Sequence, residues 1–285
     1  MRSGTPRHGT VVGGKHTWGP KRTADRKQGS ELQEEPPLRE VSHEERMETA
    51  RRICARILDS FKDGVLAVFV SGSTAKSLDR PYSDLEMACI VRDNVTIPTK
   101  YYVHNGLLVQ IDYLQEAAFL EAARQPGRDW PIGADQYRNR IVLFEQDGWI
   151  QKLDEAVQEN DRTDFKDALR FAALNMTESL AAARNARFKN DAVDLRTRAF
   201  YMAWDTARVV FLLNRKYVLT TSWYWKQLFE CPVQPKDFRK LVEIVAGFVS
   251  SNREELVEAV ERLWGETMLL VMARGISIES ADVQV

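Results

Sequence analysis

A chain of 285 residues, 44% hydrophobic and 28% charged, has the composition of an ordinary globular protein able to hold one large domain or two modest ones. Its formal net charge of −1 argues against an extended nucleic-acid surface, and no apolar run reaches the roughly 18 residues that a bilayer span needs. Cys54, Cys89 and Cys231 are too few and too scattered for a disulfide framework or a Cys-rich zinc site; with no apolar secretory stretch among the first residues, a reducing, cytoplasmic setting is the expectation.

Residues 1–41 are rich in Gly, Pro, Lys, Arg and Ser, with Gly13-Gly14 and Pro36-Pro37 as punctuation. They carry almost no apolar periodicity and are expected to form a disordered tail. Their basic residues would also suit a weak nucleic-acid arm, but a solvated extension is the reading that the composition favours. Order is expected from Ser42. Ser42-His43-Glu44-Glu45 has the capping-box form, in which Ser42 accepts from the Glu45 amide and Glu45 reaches back. Met47, Ala50, Ile53, Cys54, Ile57, Leu58 and Phe61 then fall on one helical stripe, which Lys62-Asp63-Gly64 ends.

Val65 to Val70 is a short continuous apolar run rich in branched residues, as in a buried strand. Asp84 to Val91 and Leu107 to Leu114 are two further strand candidates, with helical segments between and after them. A further amphipathic helix covers Gln151 to Thr163. From about Asp164 the pattern becomes long and Ala/Leu-rich, over roughly 164–187, 192–215, 236–249 and 252–274. The expected architecture is α+β: an α/β domain with a mixed sheet over 42–160, then a helical bundle over 161–285.

The chemically informative stretch runs from Ser71 to Glu86. A buried strand delivers the chain into Gly72-Ser73, where a missing side chain lets backbone amides approach an anion, and Thr74 to Leu78 start a short helix. Pro81-Tyr82 turns the chain and Ser83 leads into the next strand. Asp84 and Glu86 stand two apart there, so both carboxylates leave the same face. Two such carboxylates repel each other unless a cation sits between them, and their hard oxygens suit Mg²⁺ rather than zinc. A phosphate-cradling loop followed by a carboxylate pair outlines a metal–triphosphate site. On the Leu107 strand, Asp112 alternates with apolar Val109, Ile111 and Tyr113 and is a candidate third carboxylate. Singly, each feature has a commoner explanation: a Gly-Ser turn, a solvent-facing Asp-x-Glu edge, a solvated Asp112. Their joint order favours the functional reading.

This string resembles the signature of the polymerase-β-like nucleotidyltransferase superfamily: Gly-Ser, a short helix, then Asp-x-Asp or Asp-x-Glu on a strand. One branch, the aminoglycoside 4'-O-nucleotidyltransferases (the kanamycin nucleotidyltransferase family), is similar over nearly the whole chain after residue 42. The matches are His43-Glu44-Glu45-Arg46-Met47, Arg56-Ile57-Leu58-Asp59, Gly72-Ser73, Pro81-Tyr82-Ser83-Asp84-Leu85-Glu86-Met87, Asp129-Trp130-Pro131, Asp167-Ala168, Thr220-Thr221-Ser222 and Leu263-Trp264. The resemblance implies an N-terminal nucleotidyltransferase domain followed by a helical domain. It implies Mg²⁺ with ATP or another nucleoside triphosphate, transfer to the 4'-hydroxyl of kanamycin-like drugs, and a homodimer with shared active sites. Carried over by position, Asp84 and Glu86 are the metal carboxylates. Gly72, Ser73 and Ser83 bind the nucleotide, and Lys76 stands where the family directs a basic residue at the triphosphate.

Two departures stand out. The family's third strand carboxylate aligns with Gln110, so Asp112 is expected to take that role. The general base, a glutamate on the first long helix of the helical domain, aligns with either Glu178 or Ser179, and Ala181-Ala182-Ala183 covers the position of a family lysine, whose charge Arg184 or Arg187 would replace. Glu178, from the same or the partner subunit, is the candidate to take the proton from the acceptor hydroxyl before its oxygen attacks the α-phosphorus in line. Glu116, Glu145 and Asp205 are further candidates for an acidic cleft. Trp223-Tyr224-Trp225 suits stacking on a base or sugar, and suits core packing better. The alternatives are the same chemistry on a lincosamide, another aminoglycoside hydroxyl or a protein, and a non-catalytic nucleotide sensor on the same fold.

Overall fold

The computed structural model describes residues 38–280. Helix α1 (His43–Phe61) leads into β1 (Val65–Val70), the four-residue helix α2 (Gly72–Ala75) and β2 (Leu85–Val91). The hairpin of β3 (Lys100–His104) and β4 (Leu107–Gln115) follows, then α3 (Glu116–Arg124), α4 (Trp130–Gly133), α5 (Asp135–Arg138) and β5 (Ile141–Glu145). The remainder is helical: α6 (Trp149–Arg162), α7 (Lys166–Phe188), α8 (Ala192–Leu213), α9 (Tyr224–Phe229), α10 (Phe238–Val245) and α11 (Arg253–Ala273). The arrangement is α+β, as the sequence pattern predicts. No helix among the described residues is long and apolar enough to cross a membrane.

The sheet is mixed, in the order β3-β4-β2-β1-β5, with β2 and β4 parallel and the other pairs antiparallel. The predicted strands are present, with β2 starting one residue later than expected. Strands β3 and β5, absent from the sequence reading, are its two edges.

Because side chains alternate along a strand, the sheet has two distinct cores. Leu85, Met87, Cys89, Val109 and Ile111 face α1 and pack with Met47, Ala50, Cys54 and Ile57. Ala88 and Ile90 face the other way, against Phe119, Leu120, Trp149 and Leu153 of α3 and α6. That second face is covered at one end only. At the other end the same face carries Glu86, Gln110 and Asp112, and there the site opens.

The start of α1 follows the prediction in part. Ser42 Oγ accepts from the Glu45 amide at 3.2 Å, but the Glu45 carboxylate pairs with Arg39 rather than reaching back. Residues 38–41, assigned to the tail from composition, are held in place: Arg39 N–H donates to the Gly106 carbonyl, Val41 N–H donates to the Pro81 carbonyl, and Val41 is buried. The rest of the expected tail, 1–37, lies outside the described residues.

Helices α7, α8, α10 and α11 share one apolar core built from Ala, Leu, Val, Met and Phe. It reaches α4 through Trp130, whose indole donates to Asn160 Oδ1 at 2.9 Å and packs edge-on against Phe165 and Tyr217. Val218 N–H donates to the Pro131 carbonyl at 2.7 Å, which lays the segment after α8 against α4.

Candidate active site

A cavity of about 410 Å³ lies at the open end of the sheet. Four segments wall it: Ser71 to Ser73 after β1, Ser83 to Glu86 with Gln110 and Asp112 on the sheet, Ile132 to Gln136 of α4 and α5, and Val218 to Ser222 of the helical half. Asp84, Glu86, Asp112 and Asp135 all line it, and among the described residues no lysine or arginine does.

Gly72 is required by space as well as by backbone. Its φ of +65° is favourable only without a Cβ, and a Cβ there would lie 1.7 Å from Glu86 Oε2. The Glu86 carboxylate is therefore packed onto the backbone of the turn. Ser71 N–H donates to the Glu86 carbonyl at 3.0 Å, locking turn and strand together. In α2 the backbone bond Ala75 N–H to Ser71 O leaves the amides of Gly72, Ser73 and Thr74 outside any intrahelical i−4 bond.

Burial, and then the neighbouring Asp84 charge, push the Glu86 carboxyl up to about 7. Neither Asp84 nor Glu86 makes a side-chain hydrogen bond or ion pair with any described residue. Two oxygen ligands side by side, one of them buried and uncompensated, are a donor set that fits a hard divalent cation.

The third carboxylate, Asp112, stands one step further along the sheet. In the parallel register Gln110 stands opposite Glu86, and Asp112 stands opposite Ala88, one step further along. Asp112 accepts from Gln110 Nε2 at 2.8 Å and from Thr99 Oγ1 at 2.9 Å. No group of three or more His, Cys, Asp or Glu side chains is close enough to hold a metal among the described residues. Asp112 lines the same cavity as Asp84 and Glu86 and is turned to those two partners.

Lys76 is also placed differently from the expectation. It does not line the cavity; its ammonium pairs with Asp135 and donates to the Gly72 carbonyl, with both side chains of the ion pair almost fully buried. The pair ties the turn after β1 to α5. Burial raises the Asp135 carboxyl, an effect opposed by its hydrogen bonds from Lys76 and Asn139. Asp135 is a functional candidate that sequence reasoning missed, because Ile132-Gly133-Ala134-Asp135-Gln136 carries no motif. Ser83 lines the cavity as expected, and its hydroxyl also accepts from the Arg80 amide at 2.9 Å.

Glu178 is exposed on α7 and outside the cavity. Its neighbour Ser179 donates to Asp205 at 2.6 Å, and Asp205 pairs with Arg208. Glu116 pairs with Lys152, and Glu145 lies on the edge strand β5, so neither of these, nor Asp205, forms the acidic cleft. Tyr224 is core, stacked on Trp204 with centroids 4.2 Å apart. Thr220, Thr221 and Ser222, by contrast, form part of the cavity wall.

Known proteins share sequence with this chain. Residues 147–277 match the KNTase C-terminal domain, a match that takes in α6 as well as the helical bundle. Two proteins, each an aminoglycoside nucleotidyltransferase (4'), one from Staphylococcus aureus and one from a Bacillus species, are 26% identical over 227 residues, covering 79% of this chain and 89% of theirs. A solved nucleotidyltransferase-like protein from Exiguobacterium sibiricum 255-15 is 16% identical, covers 80% of this chain and 75% of that chain, and superposes with a TM-score of 0.49. The domain match and the sequence relatives define the chain as a nucleotidyltransferase. Its residues 147–277 are similar to the KNTase C-terminal domain, and the resemblance read from the motifs is to the kanamycin nucleotidyltransferase branch.

Proposed function

We propose that the chain transfers a nucleoside monophosphate from ATP, or another nucleoside triphosphate, to the 4'-hydroxyl of an aminoglycoside and releases pyrophosphate, conferring resistance. The observation that carries this reading is the cavity itself, with four carboxylates and, among the described residues, no basic side chain in its wall. Such a wall suits a polycationic acceptor and needs a cation before it can admit a triphosphate. Asp84 and Glu86 would hold Mg²⁺, which, when bound, neutralises charge on the phosphates as pyrophosphate departs. The amides of Gly72 and Ser73, with the Ser83 hydroxyl, orient the triphosphate, and Thr220 to Ser222 close the opposite wall. Lys76, held by Asp135, keeps the phosphate turn against the sheet. Catalysis then rests on positioning and charge, with no covalent enzyme intermediate. The three cysteines are free and buried, as suits a reducing cytoplasm.

The acceptor is tested by mass spectrometry after incubation with Mg²⁺-ATP and a panel of drugs. Kanamycin is expected to gain one adenylyl group, and an aminoglycoside lacking the 4'-hydroxyl to gain none. An adduct on the 4'-deoxy compound, or only on a lincosamide, would remove the 4' assignment.

Glu178 is exposed and does not line the cavity of its own chain, so we assign it as general base to the site of a second copy. The reading therefore includes a homodimer with shared sites and the partner's Glu178 as base. Mixing Asp84→Ala with Glu178→Gln would then restore about a quarter of wild-type activity, because half the dimers are mixed and each holds one intact site. No recovery in a mixture shown to exchange subunits would remove Glu178 from the mechanism.

A further inference from the structure

Asp84 and Glu86 are held by different means. Glu86 lies inside the ladder, paired with Gln110 of β4 and bonded through its carbonyl to Ser71. Asp84 precedes the first paired residue, Leu85, and its place depends on the turn that delivers it. That turn is Arg80 to Ser83, closed by Ser83 N–H to the Arg80 carbonyl and by Arg80 N–H to Ser83 Oγ, each at 2.9 Å.

One fully buried side chain grips the whole turn. Arg46, on the first turns of α1, is 0% exposed. Its Nη1 pairs with Asp79, itself buried and also 2.9 Å from His43 Nδ1. Its Nε donates to the Ser83 carbonyl at 3.2 Å, and its Nη2 is shared among the carbonyls of Val41 at 3.2 Å, Arg80 at 3.1 Å and Pro81 at 3.4 Å. A planar guanidinium offers five donors in a fixed fork, and here every nitrogen is engaged with the segment entering Asp84 or with its flank. A lysine at this position would supply the charge for Asp79 but not the fork that engages the carbonyls of Arg80, Pro81 and Ser83 together.

We propose that Arg46 is a positioning residue for the metal site: through the carbonyl of Ser83 it fixes Asp84 at the spacing from Glu86 that a shared cation requires. The proposal rests on the metal reading of Asp84 and Glu86, and it assigns a role to the His43-Glu44-Glu45-Arg46-Met47 segment, which lies outside the cavity. Groups that orient metal ligands typically change metal affinity or activity about 10–100-fold when altered.

The test is Mn²⁺ binding, followed by the electron paramagnetic resonance of free Mn²⁺, on the full chain without nucleotide. Arg46→Lys is expected to weaken binding about 10–100-fold, and Asp79→Asn, which keeps an acceptor for Arg46 but removes the charge that orients it, about tenfold. Met176→Ala, in the helical core, lowers the melting temperature and leaves Mn²⁺ binding unchanged, which separates positioning from loss of stability. If Arg46→Lys does not fold, Asp79→Asn decides. Wild-type Mn²⁺ affinity in the folded variants, alongside its loss in Asp84→Ala, would overturn the proposal and leave the metal site standing. Failure of the wild type to bind Mn²⁺, or undiminished binding by Asp84→Ala, would overturn the metal reading and this proposal with it.

Discussion

The two halves of the molecule bury polar groups in opposite ways. In the helical core the fully buried polar side chains are Thr206 and Thr267, and each hydroxyl donates to the carbonyl four residues earlier, at 2.7 and 2.6 Å. Neither carries charge, and neither reaches beyond its own helix. Around the open end of the sheet, by contrast, two ion pairs are buried, Arg46 with Asp79 and Lys76 with Asp135, and the half-buried Glu86 carboxylate has no side-chain partner among the described residues. Each pair joins segments far apart in sequence. Buried ion pairs are poor sources of net stability, because desolvation offsets most of their attraction. Their concentration here is better explained by geometry: they fix two turns, 71–76 and 79–83, on either side of one pair of carboxylates. The helical half supplies packing and one wall, and the sheet end supplies a preorganised charge arrangement.

The sharpest break of that contrast is Gly72→Ala. A methyl group at a φ of +65° and 1.7 Å from Glu86 Oε2 must displace either the turn or the carboxylate. Activity should fall by roughly two orders of magnitude or more, as when a reacting group is misplaced by about 1 Å, while circular dichroism of the helical half stays unchanged. Near-wild-type turnover would show that the turn does not position the site. The converse is Met176→Ala, which empties a fully buried position in the helical core. It should cost about 2–5 kcal/mol in denaturant unfolding with kcat/KM preserved below the transition. A loss of kcat/KM in the folded protein would mean that the helical core does more than support the fold.

A smaller, pH-linked effect sharpens the same comparison. Burial and Asp84 raise the Glu86 carboxyl to about 7, well above its unfolded value, so the folded state holds that proton more tightly. The resulting stability is fully present below the unfolded value and is lost as pH rises through about 7. Without divalent cations, the melting temperature should therefore decline across that window in wild type and less so in Glu86→Gln. A cation must displace the same proton, so Mg²⁺ affinity should weaken about tenfold per pH unit below 7. A Mg²⁺ affinity constant from pH 6 to 8 would contradict the assignment of Glu86.

How much of this was legible in the sequence follows from where the signals lie. Strands β1, β2 and β4 declare themselves because burial on one or both faces leaves apolar runs or alternation. Strand β3 is exposed along its entire length and carries no burial pattern, and the apolar run Ile141 to Phe144 of β5 is too short, lying between short helices, to declare itself as an edge strand. The Asp84–Glu86 pair and the Gly72 turn were readable because their chemistry is local, within sixteen residues. Lys76 was not, since its partner Asp135 lies 59 residues away and turns an apparent phosphate contact into a buried ion pair. Arg46 has the same character: its acceptors on the turn are 33 to 37 residues distant, and no spacing rule links them. Asp112 was placed on the correct face, but the parallel register sets it opposite Ala88 instead of Glu86.

The central claim is that the carboxylate pair at the open end of the sheet carries nucleotidyl transfer. Pyrophosphate release from Mg²⁺-ATP with kanamycin, compared between wild type and Asp84→Ala, tests it most directly. Steady release by wild type and a loss of roughly three orders of magnitude or more in the variant, with its fold intact, is the predicted result, in line with the several kcal/mol that a metal site supplies to the transition state. Comparable release by both proteins would place the chemistry elsewhere in the molecule.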